Sequence, residues 1–432
     1  ETGLSLGLRG AGRSYGDAAL NSNGWVLDLT GFNRILHWDP ARGIMTVEPG
    51  VTVEQVWKMA LPDGWWPAVV SGTMAPTIGG VVAANIHGKN NFKAGPIGDH
   101  VLEFELLTPR GDAYTCSRTE NSELFHAAIG GFGLLGIFTR ITLQLKKVYS
   151  GELEVEAFPF GSISEMVAIF EERRAEADYL VGWVDCTAGG RHLGRGMIHM
   201  AQYLAEGVDP EPGETLRVHA QELPSKIMGV FPKSLTYLAL RPFVNNPGFT
   251  FINNARYHTS RWALRGHRYR QSHAGFAFLL DYVPNWKWMY RPGALVQYQC
   301  FIPAAETVRV FETILRTCQI ERLPSYLGVT KRHRPDDFLL SHAVDGYSFA
   351  LDFPVTPANR ERLFAMLRRL DEVVLSAGGR FYFAKDLTLQ ADRIARIWSP
   401  DTLETLRRLK DQCDPDHRLQ TDLARRLLPE LC

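Results

Sequence analysis

The sequence lacks the cysteine patterns of small disulfide-rich domains and of structural zinc sites. Its six cysteines stand at positions 116, 186, 300, 318, 413 and 432, and none belongs to a C-x-x-C pair. This spacing indicates neither a disulfide framework nor a zinc site, so we expect no metal. Reduced thiols in a cytoplasmic protein are the simplest interpretation.

An excess of charge of one sign and a long apolar run are also missing. Lysine and arginine together number 47, aspartate and glutamate also number 47, and the formal net charge is zero. A dedicated nucleic-acid-binding protein carries a basic excess, so we expect no nucleic-acid partner. No run of about 18 apolar residues occurs, and the sequence therefore predicts no membrane-spanning helix. The length of 432 residues is enough for two or three domains.

Polar residues cluster directly after a pair of glycines. Residues 85–91 read Asn-Ile-His-Gly-Lys-Asn-Asn and begin five positions after Gly80. Residues 71–80 supply hydroxyls and bare backbone amides, which together can form an anion-binding nest. The alternative is a glycine turn that caps a buried helix at 81–84, with His87 hydrogen-bonded in the interior. This segment alone leaves both interpretations open.

A second glycine-rich segment lies near the N-terminus. Residues 10–17 read Gly-Ala-Gly-Arg-Ser-Tyr-Gly-Asp and interleave small residues with an arginine, a hydroxyl and a carboxylate. One such loop is a weak motif and is often only a structural turn. Two separated loops of this kind favour a pyrophosphate held between them, and therefore a dinucleotide cofactor.

A third glycine run has the spacing of a nicotinamide-binding fingerprint. Residues 131–136 read Gly-Phe-Gly-Leu-Leu-Gly and fit G-x-G-x-x-G. That fingerprint needs a strand before it and a helix after it. Here residues 122–128 look helical and residues 137–145 alternate like a strand. The order is reversed, so we do not interpret the run as a nicotinamide site.

Strand and helix patterns alternate irregularly, which predicts an α+β fold. We expect strands at 25–29, 43–47 and 295–301, a hairpin at 104–108 and 113–116, a helix at 53–61 opened by a capping box of Thr52 and Gln55, and helices at 402–412 and 417–428. From about residue 151 to about residue 379 the glycine loops stop, and aromatic residues and charged helices take over. We therefore divide the chain into 1–150, 151–379 and 380–432.

In the three glycine segments, and in Gly98–Val101, Gln297–Gln299 and Tyr382–Asp386, the chain resembles FAD-linked oxidases of the vanillyl-alcohol-oxidase type. More narrowly, it resembles the decaprenylphosphoryl-β-D-ribose 2-oxidases, over nearly its whole length. The resemblance implies a two-part FAD-binding domain, formed by 1–150 and 380–432, with an inserted α+β substrate domain at 151–379. Because members of the family have a strand and a helix before the first glycine loop, we expect the sequence to be truncated at its N-terminus.

The resemblance also implies which residues contact FAD. They are Gly10, Gly12, Arg13, Ser14, Tyr15, Gly16, Asp17, Gly72, Thr73, Thr77, Gly79, Gly80, Asn85, His87, Gly88, Asn90, Gly133, Ile137 and Tyr382. Relatives that bind their flavin covalently have a histidine in the first loop, where this chain has Arg13. We therefore expect non-covalent FAD.

For the substrate, the resemblance implies binding by Lys89, Trp183, Gln297, Gln299, Lys331 and Lys385, and catalysis by Lys385, His87 and Tyr15. The two glutamines share one face of the strand at 295–301. Spacing alone favours a face that meets solvent, whereas the resemblance implies a face that lines a pocket. Asp352 also matches the family's pocket, and mycobacterial members have a cysteine where this chain has Ala350.

The activity implied is FAD-dependent oxidation of the 2-hydroxyl of a polyprenyl-phosphoryl-ribose to the 2-keto sugar. This is the first half of an epimerisation to an arabinose lipid donor for cell-wall or surface glycans, completed by a separate NADH-dependent keto-sugar reductase. Two alternatives stay open, an alditol or aldonolactone oxidase using oxygen and a flavoprotein retained as a binding scaffold. Lys89 and Lys331 favour a phosphorylated sugar, and Lys385 argues against the scaffold.

One segment is relevant to the location of the protein. Residues 231–288 mix many aromatic residues with Arg261, Arg265, Arg268 and Arg270. Such a surface can rest on anionic lipid headgroups, or it can be a solvated face over a loop. Both interpretations stay open. The expected location is the cytoplasm, and a surface that rests on lipid headgroups would place the protein at the membrane periphery.

Overall fold

The computed structural model describes residues 4–227, 231–264 and 266–432, so Arg265 lies outside the described residues. The first part of the chain contains strands β1 (Leu6–Arg9), β2 (Trp25–Asp28), β3 (Ile35–Asp39), β4 (Ile44–Val47), β5 (Trp65–Trp66), β6 (Val101–Leu107), β7 (Ala113–Ser117), β8 (Ile137–Gln144) and β9 (Lys146–Lys147). Its helices are α1 (Val53–Ala60), α2 (Ile78–Ala83), α3 (Asn91–Ala94) and α4 (Ser122–Ala128).

Five of these strands form an antiparallel sheet in the order β3-β4-β8-β6-β7, here called the small sheet. Buried apolar residues alternate along its strands, as with Phe104 and Leu106 in β6. This alternation is typical of a sheet with one covered face. The buried residues share a core with Val56 of α1 and Val82 of α2, so the helices cover that face.

Local sequence signals in this part are confirmed. Thr52 Oγ1 accepts from the backbone N–H of Gln55 at 3.2 Å, and Gln55 Oε1 accepts from the backbone N–H of Thr52 at 2.8 Å. This reciprocal pair is the capping box at the start of α1. The third glycine run lies between helix α4 and strand β8, so the predicted order of helix before glycines and strand after them is correct.

The middle of the chain contains strands β10 (Glu152–Phe160), β11 (Tyr179–Val184), β12 (Gly196–Tyr203), β13 (Lys226–Ile227), β14 (Phe231–Pro232), β15 (Arg268–Ser272), β16 (Ala294–Pro303), β17 (Leu327–His333), β18 (Gly346–Val355) and β19 (Arg380–Phe381). Its helices are α5 (Ile163–Arg173), α6 (Pro212–Thr215), α7 (Thr236–Leu240), α8 (Asn246–Leu264), α9 (His273–Ala277), α10 (Thr307–Ile320) and α11 (Arg360–Ser376). Eight strands form what we call the large sheet, in the order β15-β10-β12-β11-β17-β18-β16-β19.

The large sheet has two different faces. On one face α10 packs against the sheet, and Phe311 stacks on Phe349 of β18 with ring centroids 4.4 Å apart. Because side chains alternate along a strand, Ala350 and Ser348 point to the opposite face. Part of that face is covered by α8, whose Tyr257 packs with Trp183 of β11.

The C-terminal region differs from the prediction. Helices α12 (Pro400–Cys413) and α13 (Asp422–Leu427) are present, but a helix over 417–428 is wrong for residues 417–421. His417 has a φ of +49°, and the next residues run beside β1, where Leu6 N–H donates to Arg418 O at 2.7 Å. Pairing with β1 thus replaces the first helical turn, and Thr421 Oγ1 caps α13 by accepting from Ala424 N–H at 3.1 Å.

The mixed arrangement of several separate sheets with flanking helices agrees with the predicted α+β class. Among the described residues, no helix combines the length and apolar character needed to cross a membrane. All six cysteines carry free thiols.

Candidate active site

Three glycine-rich loops meet around helix α2. A methyl group on Gly10 would lie 2.1 Å from Oγ1 of Thr77, the residue that precedes α2, so the first two loops touch at this point. In the third loop, Gly130 N–H donates to Val82 O at 3.1 Å and Phe132 N–H donates to Ala83 O at 3.0 Å. The sequence therefore folds so that its three glycine runs line one region.

The other residues predicted to contact FAD are distributed along these loops. Gly12 and Gly133 have positive φ values of +60° and +75°, which glycine adopts without strain. Thr73 Oγ1 donates to Asp281 Oδ1 at 2.7 Å, so the segment before α2 also contacts the middle of the chain. Gly79 and Gly80 lie in the first turn of α2, so the alternative of a glycine turn before a helix at 81–84 is wrong. Arg13 is exposed, whereas Ser14, Tyr15, Gly16 and Asp17 are partly buried, and Ile137 begins β8 beside Leu107.

The polar run at 85–91 is buried. Asn85 Oδ1 accepts from Gly98 N–H at 3.0 Å, and Asn90 Nδ2 donates to Ala68 O at 2.7 Å, which holds the run in a non-helical turn. Within the part of the chain that the structure describes, Asn85 Nδ2, His87 Nδ1 and Asn90 Oδ1 have no hydrogen-bond partner. Buried polar atoms without partners are unfavourable, so a polar ligand is expected here. These atoms, together with the three adjoining glycine loops, fit FAD.

His87 is the centre of this turn. Its Nε2 lies 2.8 Å from Gln299 Nε2, and because an amide nitrogen can only donate, His87 Nε2 accepts. Burial, followed by the nearby charge of Lys331, holds the pKa of His87 well below its ordinary value. The imidazole is therefore neutral and carries its proton on Nδ1. The buried, hydrogen-bonded histidine that the sequence left open is thus present, but its Nδ1–H has no acceptor among the described residues.

Four of the six residues predicted to bind substrate lie on one face of the large sheet, and the other two, Lys89 and Lys385, lie in turns outside it. Between β16 and β18, Gln297 lies opposite Asp352 and Gln299 lies opposite Ala350. Between β17 and β18, Lys331 lies opposite Ser348 and Val329 lies opposite Ala350. Trp183 of β11 lies opposite the same Val329. Directly opposite residues point to the same side of an antiparallel pair. Gln297 and Gln299 are only 8% and 3% exposed, so the interpretation that their face meets solvent is wrong.

Three lysines lie near this face. Burial lowers the pKa of Lys89 to about 7 and, against the influence of Asp352, that of Lys385 to about 8. The pKa of Lys331 is well below its ordinary value, first because of burial and then because Lys385 and Lys89 repel its charge. Lys89 Nζ also donates to Phe276 O. An anionic ligand beside Lys331 would favour the charged forms of these lysines. We call Lys89, Lys331 and Lys385 the lysine cluster.

Beside this cluster, the first glycine loop meets the turn that carries Lys385. Tyr15 N–H donates to Ala384 O at 2.8 Å. Lys385 Nζ lies 5.6 Å from the centroid of the Tyr15 ring and 5.9 Å from that of Tyr382. Burial, followed by the charge of Asp352, raises the pKa of the Tyr15 phenol, which therefore stays protonated. We call Tyr15, Lys385 and Asp352 the reacting corner.

Asp352 is the acidic member of that corner. Its Oδ1 accepts from Gln297 Nε2, whereas no partner for its Oδ2 occurs among the described residues. Burial raises the pKa of Asp352 to about 6, although Gln297 and the charges of Lys385 and Lys287 act in the opposite direction. A second proton-exchanging group thus lies close to Lys385.

Three residues of this region were not found from sequence. Lys287 Nζ lies 3.8 Å from the centroid of the Tyr15 ring, and the ring centroids of His333 and His342 lie 4.8 and 5.6 Å from that of His87. His333 follows Lys331 by two residues in β17, so strand alternation could have found it. Lys287 and His342 lie outside the long strands and helices, and no local pattern marks them.

Comparison with known proteins supports the same cofactor and decides the family. Residues 1–117 match a family described as an FAD binding domain. The chain is 32% identical over 434 residues to the decaprenylphosphoryl-β-D-ribose oxidase of Mycolicibacterium smegmatis, covering 99% of this chain and 90% of that protein. The chain belongs to the decaprenylphosphoryl-β-D-ribose oxidase family. As a member of this family, it is an FAD-dependent oxidoreductase.

Other relatives cover different shares of the chain. It is 27% identical over 380 residues to an uncharacterised protein from the mprA 5′ region of Streptomyces coelicolor, covering 87% of this chain and 100% of that protein. It is 30% identical over 195 residues to cytokinin dehydrogenase 3 of Oryza sativa subsp. japonica, covering 42% of this chain and 36% of that protein. The decaprenylphosphoryl-β-D-ribose oxidase comparison therefore spans far more of this chain than the cytokinin dehydrogenase comparison does.

Proposed function

We propose that this protein oxidises the 2-hydroxyl of a polyprenyl-phosphoryl-ribose to the 2-keto sugar. The observation that carries the proposal is the lysine cluster, which is buried against the sheet face that presents Gln297 and Gln299. A buried cation is unfavourable unless an anion or a set of acceptors satisfies it. The phosphodiester between ribose and lipid supplies such an anion, and the glutamine amides suit sugar hydroxyls.

We also propose that residues 1–150 and 380–432 form the FAD-binding domain and that residues 151–379 form an inserted α+β substrate domain. The bond from Leu6 N–H to Arg418 O supports this division because it joins the two ends of the chain. Seven of the eight strands of the large sheet lie within 151–379 and supply Trp183, Gln297, Gln299 and Lys331, which supports the division, whereas β19 joins the edge of that sheet from the C-terminal segment.

The phosphate and the sugar would be held by different parts of the site. Lys89 and Lys331 would bind the phosphate, and Gln297 and Gln299 would orient the ribose hydroxyls. Trp183 lies on the same sheet face and would pack against the sugar or the phosphate-linked end of the lipid. Indole and amide groups held by a rigid sheet fix orientation at low entropic cost.

The reacting hydroxyl would lie at the reacting corner. FAD supplies the hydride acceptor when it is bound. Burial lowers the pKa of Lys385 to about 8, so a fraction of the protein carries a neutral amine at neutral pH, and this neutral amine would contact the hydroxyl and accept its proton at Nζ. Tyr15 stays protonated and would donate a hydrogen bond that orients the hydroxyl. His87 would present Nδ1–H toward the cofactor or substrate, since Gln299 fixes its other nitrogen.

For the lipid, we propose a surface on α7 and α8 that meets the membrane periphery. Leu238, Phe251 and Trp262 are 47%, 66% and 88% exposed, which is unusual for large apolar side chains. Of the four arginines noted in this segment, Arg268 lies on β15 rather than on α7 or α8. Arg268 pairs with Glu154 at 3.0 Å and with Glu156 at 3.2 Å, and is therefore engaged within the fold.

The keto sugar made in this reaction would pass to a second enzyme. Return of a hydride to the opposite face of the same carbon gives the arabinose epimer. We therefore propose an NADH-dependent keto-sugar reductase as the next enzyme in the pathway, which leads to an arabinose donor for cell-wall or surface glycans.

The second candidate is oxidation of a free alditol or aldonolactone by oxygen. The chain is 26% identical over 141 residues to a putative D-arabinono-1,4-lactone oxidase of Neurospora crassa, which covers 33% of this chain. A free alditol or lactone has no anionic group to match the lysine cluster. We therefore favour the phosphorylated sugar.

The choice between these substrates is tested by the Lys331→Met variant. Wild-type flavin should be reduced by farnesylphosphoryl-ribose but not by a methyl riboside at equal concentration. Removing one charge-assisted contact should raise the half-saturating concentration of the phosphorylated sugar by about 10-fold or more. The matched control is Lys93→Met, because Lys93 is exposed and pairs with Asp178 at 2.6 Å. Fast reduction by an alditol together with none by the phosphoryl-ribose would overturn the proposal.

A further inference from the structure

An arginine of the last helix bonds both segments that form the reacting corner. Arg426 of α13 donates from Nε to Asp17 Oδ2 and from Nη2 to Asp17 Oδ1, each at 2.8 Å. Its Nη1 donates to Asp386 Oδ2 at 2.8 Å and to Leu389 O at 2.7 Å. One planar guanidinium thus holds two carboxylates from opposite ends of the chain.

Each carboxylate is close in sequence to a residue of the reacting corner. Asp17 follows Tyr15 by two residues, and Asp386 directly follows Lys385. The two segments are in contact without a gap, because a methyl group on Gly16 would lie 2.4 Å from the backbone oxygen of Asp386. Movement of either carboxylate would therefore change the position of the Tyr15 ring relative to Lys385.

The ion pairs are shielded from water. The side chains of Arg426, Asp17 and Asp386 are 19%, 13% and 3% exposed. Asp386 also fixes its own turn, since its Oδ1 accepts from the backbone N–H groups of Thr388 and Leu389, each at 3.2 Å. Bidentate Arg–carboxylate pairs in such surroundings impose a defined geometry as well as attraction.

We propose that Arg426 is a positioning residue that holds the Tyr15 loop against the Lys385 turn. It acts through Asp17 and Asp386 and thereby keeps the phenol and the amine at the spacing that the reaction needs. Because the first glycine loop also contacts FAD in our account, the same arginine supports cofactor binding. Of the two quantities tested below, only the rate of flavin reduction by the phosphorylated sugar rests on the proposed function, whereas FAD binding does not.

The neighbouring arginine provides a matched control. Arg425 of α13 donates to Asp422 at 2.7 Å, Asn21 at 2.6 Å and Gln420 at 3.0 Å. These bonds resemble those of Arg426 in length, but there are three of them against five for Arg426, and none of them joins Asp17 to Asp386. A purely structural contribution of α13 would lower the unfolding temperature without a separate loss of flavin reduction or of FAD binding.

The test compares Arg426→Lys with Arg425→Lys in the FAD-loaded full chain. Lysine keeps the charge but cannot bridge two carboxylates as the guanidinium fork does. We expect Arg426→Lys to slow flavin reduction by farnesylphosphoryl-ribose about 100-fold at saturating substrate, as a displacement of about 1 Å at a reacting group does. It should also raise the dissociation constant of FAD, whereas Arg425→Lys should change neither quantity by more than about 3-fold. Both variants should unfold at similar temperatures.

Two results would overturn the proposal. Equal effects of the two substitutions on reduction and on FAD binding would make Arg426 an ordinary structural arginine. A rate loss that only follows a lower unfolding temperature would lead to the same conclusion. FAD binding is measured without substrate, so it still tests the role of Arg426 if the wild-type protein does not oxidise the phosphoryl-ribose.

Discussion

Gln299 of the large sheet donates a hydrogen bond across 2.8 Å to Nε2 of His87. The bond links a substrate-side strand to the turn that follows the second glycine loop. It also fixes the imidazole tautomer, so that Nδ1 carries the proton and is directed to where no described residue accepts it. A neutral, oriented hydrogen-bond donor is therefore held at the junction between the predicted cofactor and substrate regions.

We expect Lys385→Ala to retain the fold and bound FAD but to lose nearly all flavin reduction. The physical reason is that the variant removes the group proposed to contact the hydroxyl, and general acid–base groups contribute about 100-fold or more. Stopped-flow absorbance under anaerobic conditions measures the rate. Lys58→Ala is the control, because Lys58 pairs with Glu54 on the exposed side of α1. Near-normal reduction in Lys385→Ala would assign the catalytic role to another residue.

Affinity for the phosphorylated sugar should fall as pH rises above neutrality. Lys89, which would bind the phosphate, has a pKa of about 7 in the free protein. A lysine loses its positive charge as pH rises through its pKa, so the phosphate loses the charge of Lys89. Because the bound phosphate favours the charged form of a nearby lysine, binding of the phosphorylated sugar at neutral pH should take up protons.

Titration calorimetry in two buffers with different ionisation enthalpies measures this proton uptake directly. The dissociation constant should rise between about pH 7 and about pH 9, whereas Lys331→Met should show weaker binding throughout. Tighter binding at high pH, or proton release on binding, would contradict the assignment of the lysine cluster to the phosphate.

Features that depend on neighbouring residues were predicted well from sequence. The capping box needs only Thr52 and Gln55, and strand alternation was enough to place Gln297 and Gln299 on one face. The helix-before-strand order around the third glycine run followed from two local patterns. These features can be read from the sequence because each depends only on residues that are a few positions apart.

Features that depend on distant segments were not predicted. The helix expected at 417–428 starts only at Asp422, because the backbone around Arg418 is extended and hydrogen-bonds to Leu6 of β1. Lys287, His342 and Arg426 reach the site through tertiary packing, and their local sequences contain no pattern that indicates it. Strand order in the large sheet, with β11 beside β17, is likewise a tertiary property.

FAD should be released when the protein is precipitated with acid. Arg13 stands in the first loop at the position where covalently flavinylated relatives have a histidine, and an arginine side chain does not form that link. The absorbance spectrum of the acid supernatant should therefore contain all of the flavin. Flavin that stays with the precipitate would mean that another residue forms a covalent bond.

The Ala350→Cys variant should gain sensitivity to nitroaromatic compounds. Ala350 is partly exposed and lies opposite Gln299 on the substrate face, whereas Cys300 is fully buried on the opposite face. FAD that has been reduced by the sugar during turnover would supply the two electrons that convert a nitro group into a nitroso group, and a nearby thiol would add to the nitroso group. Intact mass after turnover should show an adduct on Ala350→Cys and none on the wild type or on Ala350→Ser. An adduct on the wild type, or none on any variant, would contradict the placement of this strand.

Anaerobic mixing of the FAD-loaded protein with farnesylphosphoryl-ribose, followed by flavin absorbance, tests directly whether this protein oxidises a polyprenyl-phosphoryl-ribose. We expect rapid bleaching of the oxidised flavin band and a product two hydrogens lighter than the substrate, with the carbonyl at the 2-position. We expect no comparable bleaching by alditols, aldonolactones or an unphosphorylated riboside. Failure of farnesylphosphoryl-ribose to bleach the flavin, together with bleaching by one of those unphosphorylated compounds, would contradict the proposed function.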